Sequence, residues 1–183
     1  MYRILETPRL ILRQWNESDF EPFYKMNADS KVMEYFPKTL TEDESNQLAF
    51  KCKSLIDKNG WGFWALELKQ SKEFIGFTGL HYQPEQFSFS PCTEIGWRLS
   101  PLHWDKGYAT EAATACLNFG FNQLALDEIV AFTAQHNLKS QAVMRRLGMQ
   151  YKMDFNHPAL DDSSPLKRHK LFSLLKKDFK LLL

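Results

Sequence analysis

The run HWDKGYATEAA, His103 to Ala113, sets a glycine between a charged turn and an alanine-rich helix. The first turn of a helix presents backbone N–H groups that have no intrahelical partner, and the helix dipole makes that end positive. A phosphate or pyrophosphate is the natural ligand of such a junction. Gly107 lets the backbone approach a ligand closely, and the small Ala109 keeps the first turn clear. Neither GxxxxGK[ST] nor GxGxxG occurs, which argues against ATP and NAD. Taken alone, one glycine ahead of an alanine-rich helix is more often structural, and it is the element order around it that raises the functional reading.

The elements read as follows. TPRLILRQW is a first strand, NESDFEPFYKM opens a helix with Asn16 as cap, and TLTEDESNQLAFKCKSLIDKNG is a second helix from Thr41 to the Gly60 stop. WGFWALELK, EFIGFTGLHYQ and TEIGWRLSP are three strands. In the last, Ile95, Trp97 and Leu99 share one face and Glu94, Gly96 and Arg98 the other. Ala109, Ala112, Ala113, Cys116, Leu117 and Gly120 then recur at helical spacing, a small-residue face able to lie close against a sheet. LDEIVAFTA is a buried strand, NLKSQAVMRRLG a short helix from Asn137 to Gly148, and MQYKMDF and KRHKLFSLL are strands separated by a polar loop. Strands alternating with helices around one sheet describe a single α/β domain over residues 1–183.

Composition narrows the function. The chain has 183 residues, 44% hydrophobic, enough for one compact domain with a sizeable core. Lys plus Arg (23) nearly balance Asp plus Glu (22), so no global field favours nucleic acid. Cys52, Cys92 and Cys116 form no CxxC pair, and His81, His103, His136, His157 and His169 lack HExxH spacing. No metal site and no disulfide framework are expected, and the histidines read as solvated or hydrogen-bonded. Met1 leads into a charged segment without an apolar leader, so a cytoplasmic protein, neither exported nor membrane-bound, is the expectation. The closing KLFSLLKKDFKLLL reads as a last strand with a frayed end.

TEIGWRL, HWDKGYATEA and NLKSQAVMRRLGM, in that order and with a strand between the last two, resemble the GCN5-related N-acetyltransferases (GNAT), particularly the RimJ/RimL-like branch that acetylates protein amino-termini. LETPRLILRQWNESDFEPF and RHKLFSLLKKDF are similar to that branch too, so the resemblance covers nearly the whole chain. It implies a mixed, mostly antiparallel central sheet of about seven strands, flanked by about four helices and splayed at the cofactor site. It also implies acetyl-CoA as cosubstrate and no metal. In the family's R/Q-x-x-G-x-G/A signature, which wraps the pyrophosphate, Trp104 stands first, Gly107 fourth and Ala109 sixth. The cofactor-binding run is then Trp104, Asp105, Lys106, Gly107, Tyr108, Ala109 and Thr110, with Tyr108 read as an anchor for the helix. Asp105 stands where a neutral residue is expected, and an acid there weakens binding unless it turns outward or pairs with Lys106. Main-chain groups of Trp97, Arg98 and Leu99 would pair with the pantetheine arm as an added strand.

Acetyl transfer to an amine needs a neutral amine, stabilisation of a developing oxyanion and a proton for the departing thiolate. Glu94 is the candidate base, directly or through water, and an ordinary strand carboxylate is the alternative. The family's N-x-x-S stretch matches Asn137 and Ser140, which assigns Ser140 the thiolate proton and Asn137 a hydrogen bond to the cofactor. A plain N-cap and first-turn serine explain the same pair. A main-chain N–H near Leu99 is the expected oxyanion donor. An α-amino group titrates at about 7.7 to 8.0 and a lysine near 10.4, so an α-amino acceptor asks less of the base. The acceptor is an amine, by branch the amino-terminus of a protein such as a ribosomal protein, framed by the two amino-terminal helices and the HYQPEQFSFSPC and NHPALDDSSPL loops. A small-molecule amine acceptor and an inactive CoA-binding sensor are the other readings. A monomer and a homodimer are both compatible.

Overall fold

The structure, a computed structural model, describes residues 3–180. The chain start at Met1 and the last three residues of the closing apolar run lie outside them. The order is β1 (Leu5–Glu6), β2 (Leu10–Arg13), α1 (Phe20–Ala28), α2 (Glu42–Asn59), β3 (Phe63–Leu68), β4 (Phe74–Gln83), β5 (Cys92–Leu99), α3 (Tyr108–Asn122), β6 (Glu128–Ala134), α4 (Leu138–Arg146), β7 (Gln150–Asn156) and β8 (Arg168–Leu175). The strands form one eight-stranded sheet in the order β1-β2-β3-β4-β5-β6-β8-β7. The strand beyond the expected set is β1, two residues paired with Leu12 and Ile11 and too short to show an alternating pattern.

The helix limits follow local chemistry. Thr41 Oγ1 accepts from Glu44 N and the Glu44 carboxylate accepts from Thr41 N, a reciprocal cap that starts α2. Gly60, at φ +79°, ends it. Before α1 a 3-10 turn at Glu17–Asp19 tightens the expected first turn, with Asn16 N donating to Asp19 Oδ2 at 2.8 Å.

The helices cover both faces of the sheet. On one face Trp15, Phe23 of α1, Phe74 and Phe77 pack ring to ring. On the other, Phe119 of α3 meets Trp64 edge-on at 5.4 Å. Gly120 brings α3 closest to the strands, since a Cβ there would stand 2.7 Å from Ile129 Cδ1 and 3.0 Å from Leu80 Cδ1. That is the small-residue face the sequence pattern requires.

Every strand pair is antiparallel except β5–β6. That parallel pair is joined at a single register position, Glu94 opposite Val130. Beyond it β5 keeps its full ladder with β4, from Gln83↔Cys92 to Gly76↔Leu99, while β6 pairs on its far side with β8. The sheet therefore splits along the edge of β5 that carries Trp97, Arg98 and Leu99.

Candidate active site

α3 begins beside the split. Its cap position is Gly107, at φ +80°, and no side chain caps the helix. The preceding residue but one, Asp105, also holds a left-handed conformation, φ +58°. It is exposed and makes no ion pair among the described residues, with Lys106 or any other. Glu111 is the acid in the first turn of this helix, and it is held elsewhere. Its carboxylate accepts from Thr7 Oγ1 at 2.5 Å, Arg9 N at 2.9 Å and Arg9 Nε at 2.6 Å. Burial alone raises the Glu111 carboxyl, but the bonds from Thr7 and Arg9 outweigh it and hold its pKa below the ordinary value. Arg9 also donates through Nη1 to Lys106 O at 3.0 Å, and its guanidinium lies 4.4 Å from the Tyr108 ring centre. The clamp holds the loop from outside, with the Tyr108 ring against the Arg9 guanidinium. The cations Lys106, Lys139 and Arg146 surround this end; Arg146 Nε donates to Thr110 Oγ1 at 3.4 Å. An anion meets free N–H groups and positive side chains here.

Trp104 ties this loop to the split. Its indole N–H donates to Leu99 O at 2.8 Å, and Lys139 of α4 stands 4.4 Å over its ring. Ala109 continues the first turn of α3, partly buried against the core.

α4 starts with a side-chain cap. Asn137 Oδ1 accepts from Ser140 N at 3.1 Å, and Asn137 Nδ2 donates to Thr133 Oγ1 and Ser140 Oγ at 3.0 and 3.1 Å. Both amide protons of Asn137 are thus committed to the protein. Ser140 Oγ receives one of them, which leaves its own proton to donate.

Glu94 sits at the vertex of the split, on the one residue pair that joins β5 to β6. Its side chain is 14% exposed. Across the β4–β5 ladder it faces His81, whose Nδ1 is 3.3 Å from Glu94 Oε1. Gln83 Nε2 donates to the same oxygen at 3.1 Å. Oε2 has no protein partner among the described residues. His157 lies near enough to feel the carboxylate; burial lowers its pKa and Glu94 opposes the shift.

The aromatic loop before β5 is folded in. Phe87 is buried, its ring 4.8 Å from Phe132 and 5.0 Å from Phe89, and Phe155 and His157 complete the cluster. One of the five histidines departs in part from the expectation of solvent or hydrogen bonds. His103 is buried with an unpartnered Nδ1, and burial lowers its pKa. His169 is buried too, with its Nδ1 3.4 Å from Lys167 O as expected, and loss of solvent pushes it down to about 4. Sequence reasoning also missed Thr7, Arg9, Glu111, His81 and Gln83. The clamp joins residues more than a hundred positions apart, and the His81–Glu94 rung depends on a strand register that no local pattern encodes. Among the described residues no cluster of three His, Cys, Asp or Glu side chains is placed to hold a metal, and no helix is long and apolar enough to cross a membrane.

The same elements recur in known proteins. The chain is 32% identical to the uncharacterized N-acetyltransferase YnaD of Bacillus subtilis over 147 residues, 80% of this chain and 82% of that one. It is 31% identical to the FsC-acetyl coenzyme A-N(2)-transacetylase of Aspergillus fumigatus, covering 82% of this chain and 66% of that one. Its fold matches an acetyltransferase of the GNAT family from Bacillus anthracis with a TM-score of 0.81, at 25% identity over 96% of this chain and 99% of that one. It matches ribosomal-protein-S5-alanine acetyltransferase from Vibrio fischeri with a TM-score of 0.75, at 21% identity over 97% and 99%. The acetyltransferase (GNAT) domain profile aligns with residues 9–150, from the clamp arginine through the split strands, α3 and α4. By that match over most of its length the chain belongs to the GNAT family of N-acetyltransferases.

Proposed function

We propose that this N-acetyltransferase uses acetyl-CoA to acetylate the α-amino terminus of a protein, in the manner of the RimJ/RimL-like branch, as one domain spanning residues 1–183. Its setting would be the cytoplasm, as a monomer or a homodimer. The observation that carries the reading is the place of Glu94, a carboxylate at the vertex where β5 and β6 part.

The residues present suit acetyl-CoA. The uncapped start of α3, with Glu111 tied away by Thr7 and Arg9, accepts a pyrophosphate from Trp104 to Thr110. The edge of β5 that β6 leaves at Trp97, Arg98 and Leu99, where Leu99 O already accepts from Trp104, offers its remaining ladder positions to the amides of a pantetheine arm. Acetyl-CoA supplies an activated acetyl group as a thioester. His81 and Gln83 fix one Glu94 oxygen, and the other takes a proton from the amine, directly or through a water. The amine nitrogen bonds to the acetyl carbon as the carbon–sulfur bond breaks. The Ser140 hydroxyl, oriented by Asn137, relays a proton to the departing sulfur. A main-chain N–H near Leu99 supports the oxyanion.

A second acceptor class, a small-molecule amine, draws support from the similarity to the Aspergillus fumigatus transacetylase. Calorimetry with acetyl-CoA, with ADP as control, is the first test: micromolar binding that exceeds ADP supports the donor site. Peptides with free amino-termini and a panel of small amines then identify the acceptor. Glu94→Gln is expected to lower kcat about 100-fold with acetyl-CoA affinity within about threefold. Folded protein that fails to bind millimolar acetyl-CoA overturns the proposal, and acetylation of small amines alone transfers it to the second class.

A further inference from the structure

Arg98 carries a charge that the chemistry above leaves unused. It lies on the same face of β5 as Glu94, four residues farther along, and Phe77 is directly opposite it on β4. Its Nη1 donates to Asn27 Oδ1 of α1 at 2.6 Å, and Phe36 and Phe77 place their ring centres 4.1 and 5.5 Å from the guanidinium carbon. Its Nε is sealed from solvent and donates to nothing. Among the described residues no carboxylate oxygen lies within 4.0 Å of the guanidinium. Cys52 is near, but burial pushes its thiol up to about 12, so it brings no negative charge. Burial lowers Arg98 itself only to about 10, so it stays charged at neutral pH.

A guanidinium is a planar fork of five N–H donors, and buried charges in proteins are paired. One amide oxygen and two aromatic rings satisfy part of that fork and neutralise none of its charge. The residue keeps a partly exposed edge. Between it and Glu94 the sheet has no side chain on this face, because Gly96 intervenes. The Phe63 ring covers that glycine, with Cε1 3.2 Å from where a Cβ would stand. The face thus runs from a carboxylate, over an apolar ring, to an unpaired cation.

We infer that Arg98 receives a carboxylate of the acceptor, so that the preferred substrate carries an acid several bonds removed from the amine that Glu94 faces. This deepens the proposed function and rests on its assignment of the Glu94 face to the acceptor. Four residues of strand separate the two Cα atoms by about 13 Å. The side chains do not converge, since Glu94 is engaged with His81 and Gln83 and Arg98 with Asn27, Phe36 and Phe77. The α-carboxylate of a free amino acid is therefore too close to its own amine. An acidic side chain two or three residues into a peptide has the reach, and so does a small amine with a distant carboxylate.

Two matched pairs test this at saturating acetyl-CoA: the peptides Ser-Ala-Glu and Ser-Ala-Gln with free amino-termini and amidated carboxyl ends, and 6-aminohexanoate with hexylamine. The acid member of at least one pair is expected to show about tenfold higher kcat/KM, and which pair does so identifies the source of the acid. Arg98→Gln should bring that ratio near one, and Arg98→Lys should keep part of it. A merely structural Arg98 would lower both members equally and leave the ratio unchanged. Equal rates within both pairs for the unaltered protein overturn the inference without any variant. If no amine is acetylated, the proposed function fails and calorimetric binding of the same pairs decides. Acid-selective binding lost in Arg98→Gln sustains the inference, and binding without selectivity ends it.

Discussion

α3 and α4 start side by side at the split in the sheet, and they start in opposite ways. α4 closes its first turn with its own side chain, Asn137 Oδ1 taking Ser140 N, and in doing so holds the Ser140 hydroxyl in one place. α3 opens on Gly107, which has no side chain to offer, and the acid of its first turn is pulled back by Thr7 and Arg9. A self-capped helix start fixes a nearby side chain, whereas an uncapped one leaves its N–H groups without a protein partner. One protein uses both forms within reach of the same cleft.

Changing either start tests that contrast. The largest effect is expected from Gly107→Glu, which sets a carboxylate where the ligand's anion belongs. The acetyl-CoA dissociation constant should rise about 100-fold, some 2.7 kcal/mol, by calorimetry. Ser140→Ala keeps the α4 cap, because Asn137 still accepts from the backbone of residue 140. It should lower kcat about 30-fold with the dissociation constant within threefold, and a change in affinity instead would make α4 a binding element. Asn137→Ala removes the cap and should cost about 1 kcal/mol in denaturant unfolding, together with a smaller loss of kcat.

The smallest effect belongs to the clamp. The folded Glu111 carboxyl titrates below its unfolded value, so its stabilisation is present above about pH 4.5 and is lost as the pH falls through the folded pKa. Glu111→Gln should therefore cost about 0.5 kcal/mol at pH 7, after allowance for solvent screening, and less at pH 3. Thermal unfolding at the two pH values reads the difference. A cost that persists in full at pH 3 would mean that shape, and not charge, holds the clamp.

These starts were unequally legible in the sequence. Thr41 and Glu44, Gly60, Gly107 and Asn137 speak through short-range spacing, and the structure places helix ends at each. The small-residue stripe from Ala109 to Gly120 also signals where α3 lies against strands. The clamp stayed hidden because Arg9 and Glu111 meet only after β2 and α3 have docked. The His81–Glu94 rung was hidden for a related reason. It depends on the β4–β5 register across the loop that buries Phe87. The unpaired charge of Arg98 needed both α1 and the α1–α2 connection in place, since Asn27 and Phe36 supply its neighbours.

Gly120 has a mechanical consequence. α3 spans fifteen residues, about 22 Å of helix, and Gly120 sits near one end while the Gly107 turn lies at the other. At that glycine the helix rests on Ile129 of β6 and Leu80 of β4, strands that flank opposite sides of the split. Replacing one hydrogen by a methyl group there would bring a carbon 2.7 Å from Ile129 Cδ1 and 3.0 Å from Leu80 Cδ1, and those two side-chain ends would have to turn aside. One residue without a side chain thus lets a single helix bear on both flanks of the split.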